Sequence, residues 1–486
     1  MRREEFVIDR RQFLSLGMGL GMSATFALAA CGNNAAPEET ESESSSASVA
    51  TVTVYGIVTD DGQHVDKMVL DYGDVTIDSV DDDAFEVYMS STVDYGELEG
   101  QPYPYYDASA PLPIVKSEVS GSTVTLFFDQ AAAPTLTWLG EGRNYPGILE
   151  FTVNQTKEIT AVAPDKRELP LMAEYVCEAT SYADLVDEEV SKFEDVQDEI
   201  NYRLYKGSND TLIVWFHGNG EGDLPTKDTN NNIAQVLANR GTVAWATPEA
   251  QAVFGDATVM AFQAPSVWYL ATVDGLLEIA EREIQDVVAA QGIDPEKIYV
   301  SGCSAGGFMT TRMVIAYPEL FKAAMINCPA LDIADLRAGV EGATPTDDEL
   351  AVLRDAKTKI WLVQGETDSA VNPEECAKRI WNILTEGVEV SEAHYDGSEG
   401  IASGFTTYET ADDKYKLSLY ETVNVEEKEG TLGDIRPMGR LLFAEDYDQD
   451  GIPSEVDYSD HYSWTYTLHN NPEDAAGEHI WEWSAK

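Results

Sequence analysis

Ser304 lies in Gly302-Cys303-Ser304-Ala305-Gly306, entered by the β-branched and aromatic run Ile298-Tyr299-Val300-Ser301 and left by the helical stretch Ala305 to Tyr317. A strand that reverses sharply into a helix carries its serine hydroxyl on a strained tip. Glycines at 302 and 306 remove Cβ atoms that would collide in so tight a turn. A serine held this way is a nucleophile for acyl transfer. It needs a base to take its proton and a carboxylate to orient that base, and behind this kind of turn they follow along the chain as serine, acid, histidine.

Chain order prunes the partners. The apolar run Lys359 to Gln364 ends in Gly365-Glu366-Thr367-Asp368, which puts a carboxylate in the loop at the C-terminal end of a strand, where open α/β sheets bind ligands. Asp368 is the acid, with Glu366 its rival; Asn372 already suits the task of capping the helix that begins at Pro373. Of six histidines, His64 and His217 precede the serine, and His469 and His479 fall within or beyond the closing segment and read as structural. His394 ends the strand-like run Val388 to Ala393 and competes for the role of base. His461 follows the candidate last strand, Tyr415 to Tyr420, and topology favours it. A tetrahedral intermediate also needs two backbone donors. One is Ala305, directly after the nucleophile. The other lies in the glycine-dense loop His217-Gly218-Asn219-Gly220-Glu221-Gly222, where Asn219 is the choice and Gly220 the alternative.

The surrounding pattern supplies the elements that must hold these groups. Strand-like runs at Tyr202 to Leu204, Thr211 to Phe216, Val243 to Ala246, Thr258 to Ala261, Lys297 to Ser301, Ala323 to Asn327, Lys359 to Gln364 and Tyr415 to Tyr420 are separated by helical stretches, among them Asn231 to Asn239, Val267 to Gln291 and Pro373 to Thr385. Alternation of this kind builds a mostly parallel sheet with helices on both faces, and with an elbow serine it predicts an α/β-hydrolase fold over residues 169–486. Residues 51–165 show short β-runs between turn clusters, with little helical periodicity. They predict an all-β immunoglobulin-like sandwich, although the Cys-Trp-Cys pattern of antibody domains is absent.

Ahead of both, Arg10-Arg11 precedes an apolar, glycine-interrupted run ending in Leu28-Ala29-Ala30-Cys31. Residues 1–30 read as an export signal of twin-arginine type, with the general secretory route open because Asp9 replaces the usual Ser or Thr. The run is short for a membrane-spanning anchor, and the small residues before Cys31 resemble a lipobox, implying cleavage there, lipidation of the thiol and attachment to the outer face of the bacterial membrane. Residues 31–50 are an acidic, serine-rich tether that cannot bury enough surface to fold. With 31 basic and 87 acidic residues, the net charge of −56 excludes nucleic acid and anionic membrane surfaces as partners. Cys177, Cys303, Cys328 and Cys376 have no metal-type spacing. No cofactor is expected. Asp446, Asp448, Asp450 and Asp457 have the spacing of a calcium loop, which would place a structural ion at 446–457, although Pro453 and the acidity of the whole chain weigh against it.

Five segments together, Trp215 to Gly222, Phe262 to Trp268, Gly302 to Gly307, Gln364 to Asp368 and His461 to Trp464, resemble secreted bacterial esterases that pair an N-terminal immunoglobulin-like domain with an α/β-hydrolase domain, relatives of polyhydroxybutyrate-depolymerase-like and prolyl-oligopeptidase-like hydrolases. The resemblance implies a triad of Ser304, Asp368 and His461 acting on a small-molecule ester. It also implies a pocket wall that includes Gln263 and Trp268, with helix-face packing the alternative for Trp268. A peptidase for short peptides would use the same machinery. A surface binding lipoprotein with a dead hydrolase scaffold is the third reading, against which the intact serine, acid, base and oxyanion loop stand.

Overall fold

Four successive strands, Leu212–Phe216, Thr258–Phe262, Ile298–Cys303 and Ala323–Asn327, are buried at every residue, as strands covered on both faces must be. The computed structural model describes residues 50–486 apart from 82, 94–100, 103–109, 130–132, 140–142, 166–167, 172–173, 177–179, 182–184, 224–230, 397–403, 422, 424–439, 443–454 and 458–459. The expected export signal, Cys31, the expected tether up to residue 49, Cys177 and most of the expected calcium loop at 446–457 therefore lie outside the described residues. Among the described residues no helix is long and apolar enough to cross a membrane.

The central sheet has ten strands, in the order Glu194–Val196, Tyr202–Tyr205, Thr258–Phe262, Leu212–Phe216, Ile298–Cys303, Ala323–Asn327, Lys359–Gly365, Tyr415–Tyr420, Phe405–Thr410 and Val390–Tyr395. The six inner strands run parallel, and two antiparallel strands flank them on each side. Alternation along each strand divides the side chains between two cores. Val214, Val300, Ile326 and Leu362 face the helices Leu276–Gln291, Ala305–Ala316 and Ala377–Leu384. Trp215, Val259, Met325 and Trp361 face Pro248–Phe254, Trp464–Leu468 and Ile480–Ala485. Helix Leu276–Gln291 buries Leu276, Leu277, Ala280, Ile284, Val287 and Val288, a stripe at helical spacing, and stops at Gly292 with φ 70°.

The N-terminal region is built of β-strands. A sheet ordered Thr51–Thr59, Gly62–Asp71, Thr123–Phe128, Ile114–Ser120 and a second one centred on Ile148–Gln155 and Phe85–Val93 share a core that includes Val65, Leu70, Val87, Leu126, Phe151 and Val153. The short strands Glu168–Leu171, Glu174–Val176 and Thr180–Ser181 pair with this region, not with the central sheet, so its strands run past the boundary at 165. Segments of two to four residues fall below the length at which alternation can be read.

Several elements differ from expectation. Val243–Ala246 is a buried 3₁₀ turn, since a short apolar run fits a core in either conformation. The helix expected over Asn231 to Asn239 is one turn, Ala234–Leu237. That expected over Val267 to Gln291 is a 3₁₀ turn, Trp268–Leu270, followed by the helix from Leu276, the two being separated by Gly275 at φ 71°.

Candidate active site

Strand Ile298–Cys303 ends at Ser304, whose φ of 54° and ψ of −115° lie where an L-residue is strained. Close packing enforces the turn. A Cβ on Gly306 would come within 1.9 Å of the Phe216 carbonyl oxygen, one on Gly302 within 2.5 Å of the Gly306 oxygen, and one on Gly307 within 2.5 Å of the Asn327 oxygen. Backbone bonds fix the tip from below: Ser304 N–H donates to the Asn327 carbonyl at 3.1 Å, and Ala330 N–H donates to the Ser304 carbonyl at 3.1 Å. Ala305 is the first residue of the helix Ala305–Ala316, so its N–H has no acceptor within that helix.

Three of the expected residues meet. His461 Nε2 lies 3.0 Å from Ser304 Oγ, and His461 Nδ1 lies 2.9 Å from Asp368 Oδ2 and 3.1 Å from Oδ1. All three are buried. The carboxylate is itself held: Oδ1 accepts the N–H groups of Ala370 and Val371, each at 2.9 Å, and Oδ2 accepts Gln364 Nε2 at 3.3 Å. With the carboxylate accepting a hydrogen bond from Nδ1–H, Nε2 is left free to accept the serine proton. Burial pushes the thiols of Cys303 and Cys328 well above their ordinary value, so neither offers a competing thiolate.

The rivals stand elsewhere. Glu366 is exposed. His394 is half exposed on the outermost strand of the sheet, its Nδ1 3.1 Å from Thr406 Oγ1. His469 pairs with Asp60 at 2.9 Å and His479 with Glu473 at 3.6 Å. Among the described residues Cys303, Cys328 and Cys376 are buried and unbridged.

Asn219 begins a 3₁₀ turn, Asn219–Glu221, just beyond the strand Leu212–Phe216, next to the strand that carries the serine. His217 supports this loop from beneath. Its Nε2 accepts Ala264 N–H at 2.9 Å, its Nδ1 donates to the Gly218 carbonyl at 2.6 Å, and its own carbonyl accepts Trp268 Nε1–H at 3.1 Å. Burial lowers its pKa to about 3, so the ring is neutral. Glu221 is buried beside it, and burial raises its carboxyl to about 7. Gln263 donates through Nε2 to the Glu221 carbonyl at 2.7 Å. Trp268 is 1% exposed and stacks edge-on against Phe216. Both residues expected in a pocket wall are therefore packed under the loop, and for Trp268 the packing alternative describes its surroundings.

Two supports carried no signal in the sequence. Asp460, at φ 63°, accepts Val423 N–H at 2.6 Å and the Thr367 hydroxyl, which ties the residue before His461 to the loop of Asp368. Arg143, from the N-terminal β region, reaches the loop that follows Leu212–Phe216, its Nε donating to the Asp223 carbonyl at 3.3 Å. A lone arginine or aspartate in so acidic a chain has no spacing to mark it.

Two groupings among the described residues have donor types suited to a metal ion: Cys328 with Asp368 and His461, and Glu409 with Asp413 and Asp474. In the first, both imidazole nitrogens already face Ser304 and Asp368. In the second, the carboxylates close on the buried Lys416 Nζ, Asp413 at 2.8 Å and Glu409 at 3.3 Å.

The prolyl oligopeptidase family model matches residues 282–409, a stretch that holds Ser304, Asp368 and His394 but stops short of His461. A poly(3-hydroxyalkanoate) depolymerase C of Paucimonas lemoignei is 46% identical over 41 residues, 8% of this chain, and the match spans 10% of that relative's length. A solved structure of a thermostable esterase superposes with a TM-score of 0.57 at 21% identity, covering 86% of this chain and 96% of its own. That coverage exceeds what residues 169–486 alone could supply. The fold is that of the α/β-hydrolases, and these matches support a serine hydrolase of the esterase or peptidase kind.

Proposed function

We propose that the enzyme is a carboxylesterase in which Ser304 attacks the ester carbonyl, His461 takes the serine proton and returns it to the leaving alcohol, and Asp368 orients the imidazole and stabilises its charged form. The N–H groups of Ala305 and Asn219 hold the oxyanion. Water then repeats the cycle on the acyl-enzyme, with His461 again as base. The observation that carries this reading is the hydrogen-bonded line from Asp368 through His461 to Ser304. The proposed chemistry uses no metal or cofactor. The short match to a depolymerase of a polyester favours esters. Cleavage of short peptides is the second reading, favoured by the match to the prolyl oligopeptidase family. In the same proposal the N-terminal β region is an immunoglobulin-like sandwich, and the enzyme is exported and held by a lipid on Cys31 outside the bacterial membrane.

Purified protein and its Ser304→Ala variant, assayed on p-nitrophenyl esters from acetate to palmitate and on peptide p-nitroanilides, test the chemistry. Ester hydrolysis lost in the variant is expected. Turnover of the anilides alone would select the peptidase reading.

A further inference from the structure

The hairpin formed by Leu136–Leu139 and Arg143–Pro146 belongs to the N-terminal β region, yet its second strand lies against the oxyanion loop. Arg143 is 4% exposed and bonds two backbone carbonyls of the catalytic region: Nε donates to Asp223 at 3.3 Å and Nη2 to Ser266 at 3.1 Å. Tyr145, wholly buried, donates its hydroxyl to Asp223 Oδ1 at 3.0 Å, and Asp223 Oδ2 accepts Asn231 N–H at 3.2 Å. Asn144 lies between them. Its carbonyl accepts Asn231 Nδ2 at 2.9 Å, and its amide donates to Glu221 Oε1 at 3.4 Å. There is no slack in this contact: a Cβ on Gly222 would come within 2.6 Å of the Ser266 oxygen and 3.2 Å of Arg143 Nε.

We propose that this hairpin is a strap that positions the oxyanion loop, with Arg143 and Tyr145 as positioning residues for the reaction at Ser304. The inference rests on the hydrolase reading and adds a task for the N-terminal region. The loop Gly218–Asp223 is held on one side by His217, Gln263 and Ala264 of its own domain. On the other side, the described contacts come from the hairpin and the nearby asparagines 231 and 239. A donor at Asn219 stabilises a transition state only if its N–H stays aimed at the place where charge develops, and a displacement of an ångström is enough to lose that. A guanidinium bridging two carbonyls, with a tyrosine on the neighbouring carboxylate, supplies such rigidity.

The full-length protein tests this with Arg143→Ala, Arg143→Lys, Tyr145→Phe and Ser304→Ala, measuring kcat and KM on p-nitrophenyl acetate, inhibition by a trifluoromethyl ketone that forms a tetrahedral adduct, and melting temperature. The strap predicts a kcat lower by about 100-fold in Arg143→Ala and about tenfold in Tyr145→Phe. It also predicts KM within a factor of two or so, and ketone affinity falling in step with kcat/KM. Arg143→Lys should recover part of the loss. Tyr145→Phe removes a single oxygen and keeps the question answerable if Arg143→Ala does not fold. Loss in Ser304→Ala together with unchanged kcat and ketone affinity in the folded Arg143 and Tyr145 variants would overturn the strap alone. Activity surviving in Ser304→Ala would overturn the hydrolase reading and the strap with it.

Discussion

Replacing Asp368 by asparagine should lower kcat by about 10⁴, roughly 5 kcal/mol of transition-state stabilisation, while leaving KM nearly unchanged. The surroundings of the carboxylate dictate the result. Its Oδ1 accepts two backbone N–H groups, from Ala370 and Val371, so the amide oxygen of an asparagine must occupy that position. The amide nitrogen then takes the place of Oδ2, 2.9 Å from His461 Nδ1. It can only donate there. The imidazole must turn its lone pair to Nδ1 and carry its proton on Nε2, which faces Ser304 Oγ at 3.0 Å and can no longer accept the serine proton. Gln364 Nε2, 3.3 Å from Oδ2, meets a second donor, which costs stability by about 1 kcal/mol. Steady-state hydrolysis of p-nitrophenyl acetate, with a thermal melt to establish folding, measures both effects. A folded Asp368→Asn variant with kcat within tenfold of the parent would refute the assignment of Asp368 and the tautomer reasoning behind it.

His461→Ala should lose at least about 10³ in kcat, whereas His394→Ala, out on the sheet edge, should keep the parent's rate; the reverse ranking in the same ester assay would move the base to His394. Stability should fall as pH rises through 7, because the Glu221 carboxyl is held at about 7 against an ordinary 4.5. A raised folded value means the neutral acid favours the fold: the contribution is whole below about 4.5 and is lost on passing 7, a change of about 3 kcal/mol. Glu221→Gln cannot ionise and should flatten that slope in urea unfolding between pH 5 and 8.5, leaving the part due to Glu283, which burial raises in the same way. Identical slopes in the two proteins would show that Glu221 does not titrate there.

The sharp turn at Ser304 was legible because a strand-to-helix reversal tolerates few residue types around it, and those types stand at 302, 304 and 306. Ala323–Asn327, a mostly apolar run, and Tyr415–Tyr420, where tyrosine and leucine alternate with Lys416 and Ser418, were legible to the residue. Val243–Ala246 misled because four apolar residues suit a buried 3₁₀ turn as well as a strand. Roles that depend on one long-range contact left no local pattern. Asp460 meets Thr367, and Arg143 meets Asp223, across about 80 to 90 residues of chain. Gln263 and Trp268 were expected in a pocket wall and instead pack beneath the loop that follows Leu212–Phe216, because the side of a loop on which a residue lies leaves no mark in the sequence.

Because a chain is made from its amino terminus, the hairpin at 136–146 is synthesised before the loop at 218–223, and that loop before Ser304. Domains generally fold as units, amino-terminal first, so the receiving surface stands ready when the later segment emerges. His469, near the other end of the chain, then closes onto Asp60 of the same early-folding region. Transplanting the hydrolase portion onto a different amino-terminal partner would thus remove both a template for assembly and a fastening for the finished enzyme. The two regions have to be inherited, or engineered, as a single piece.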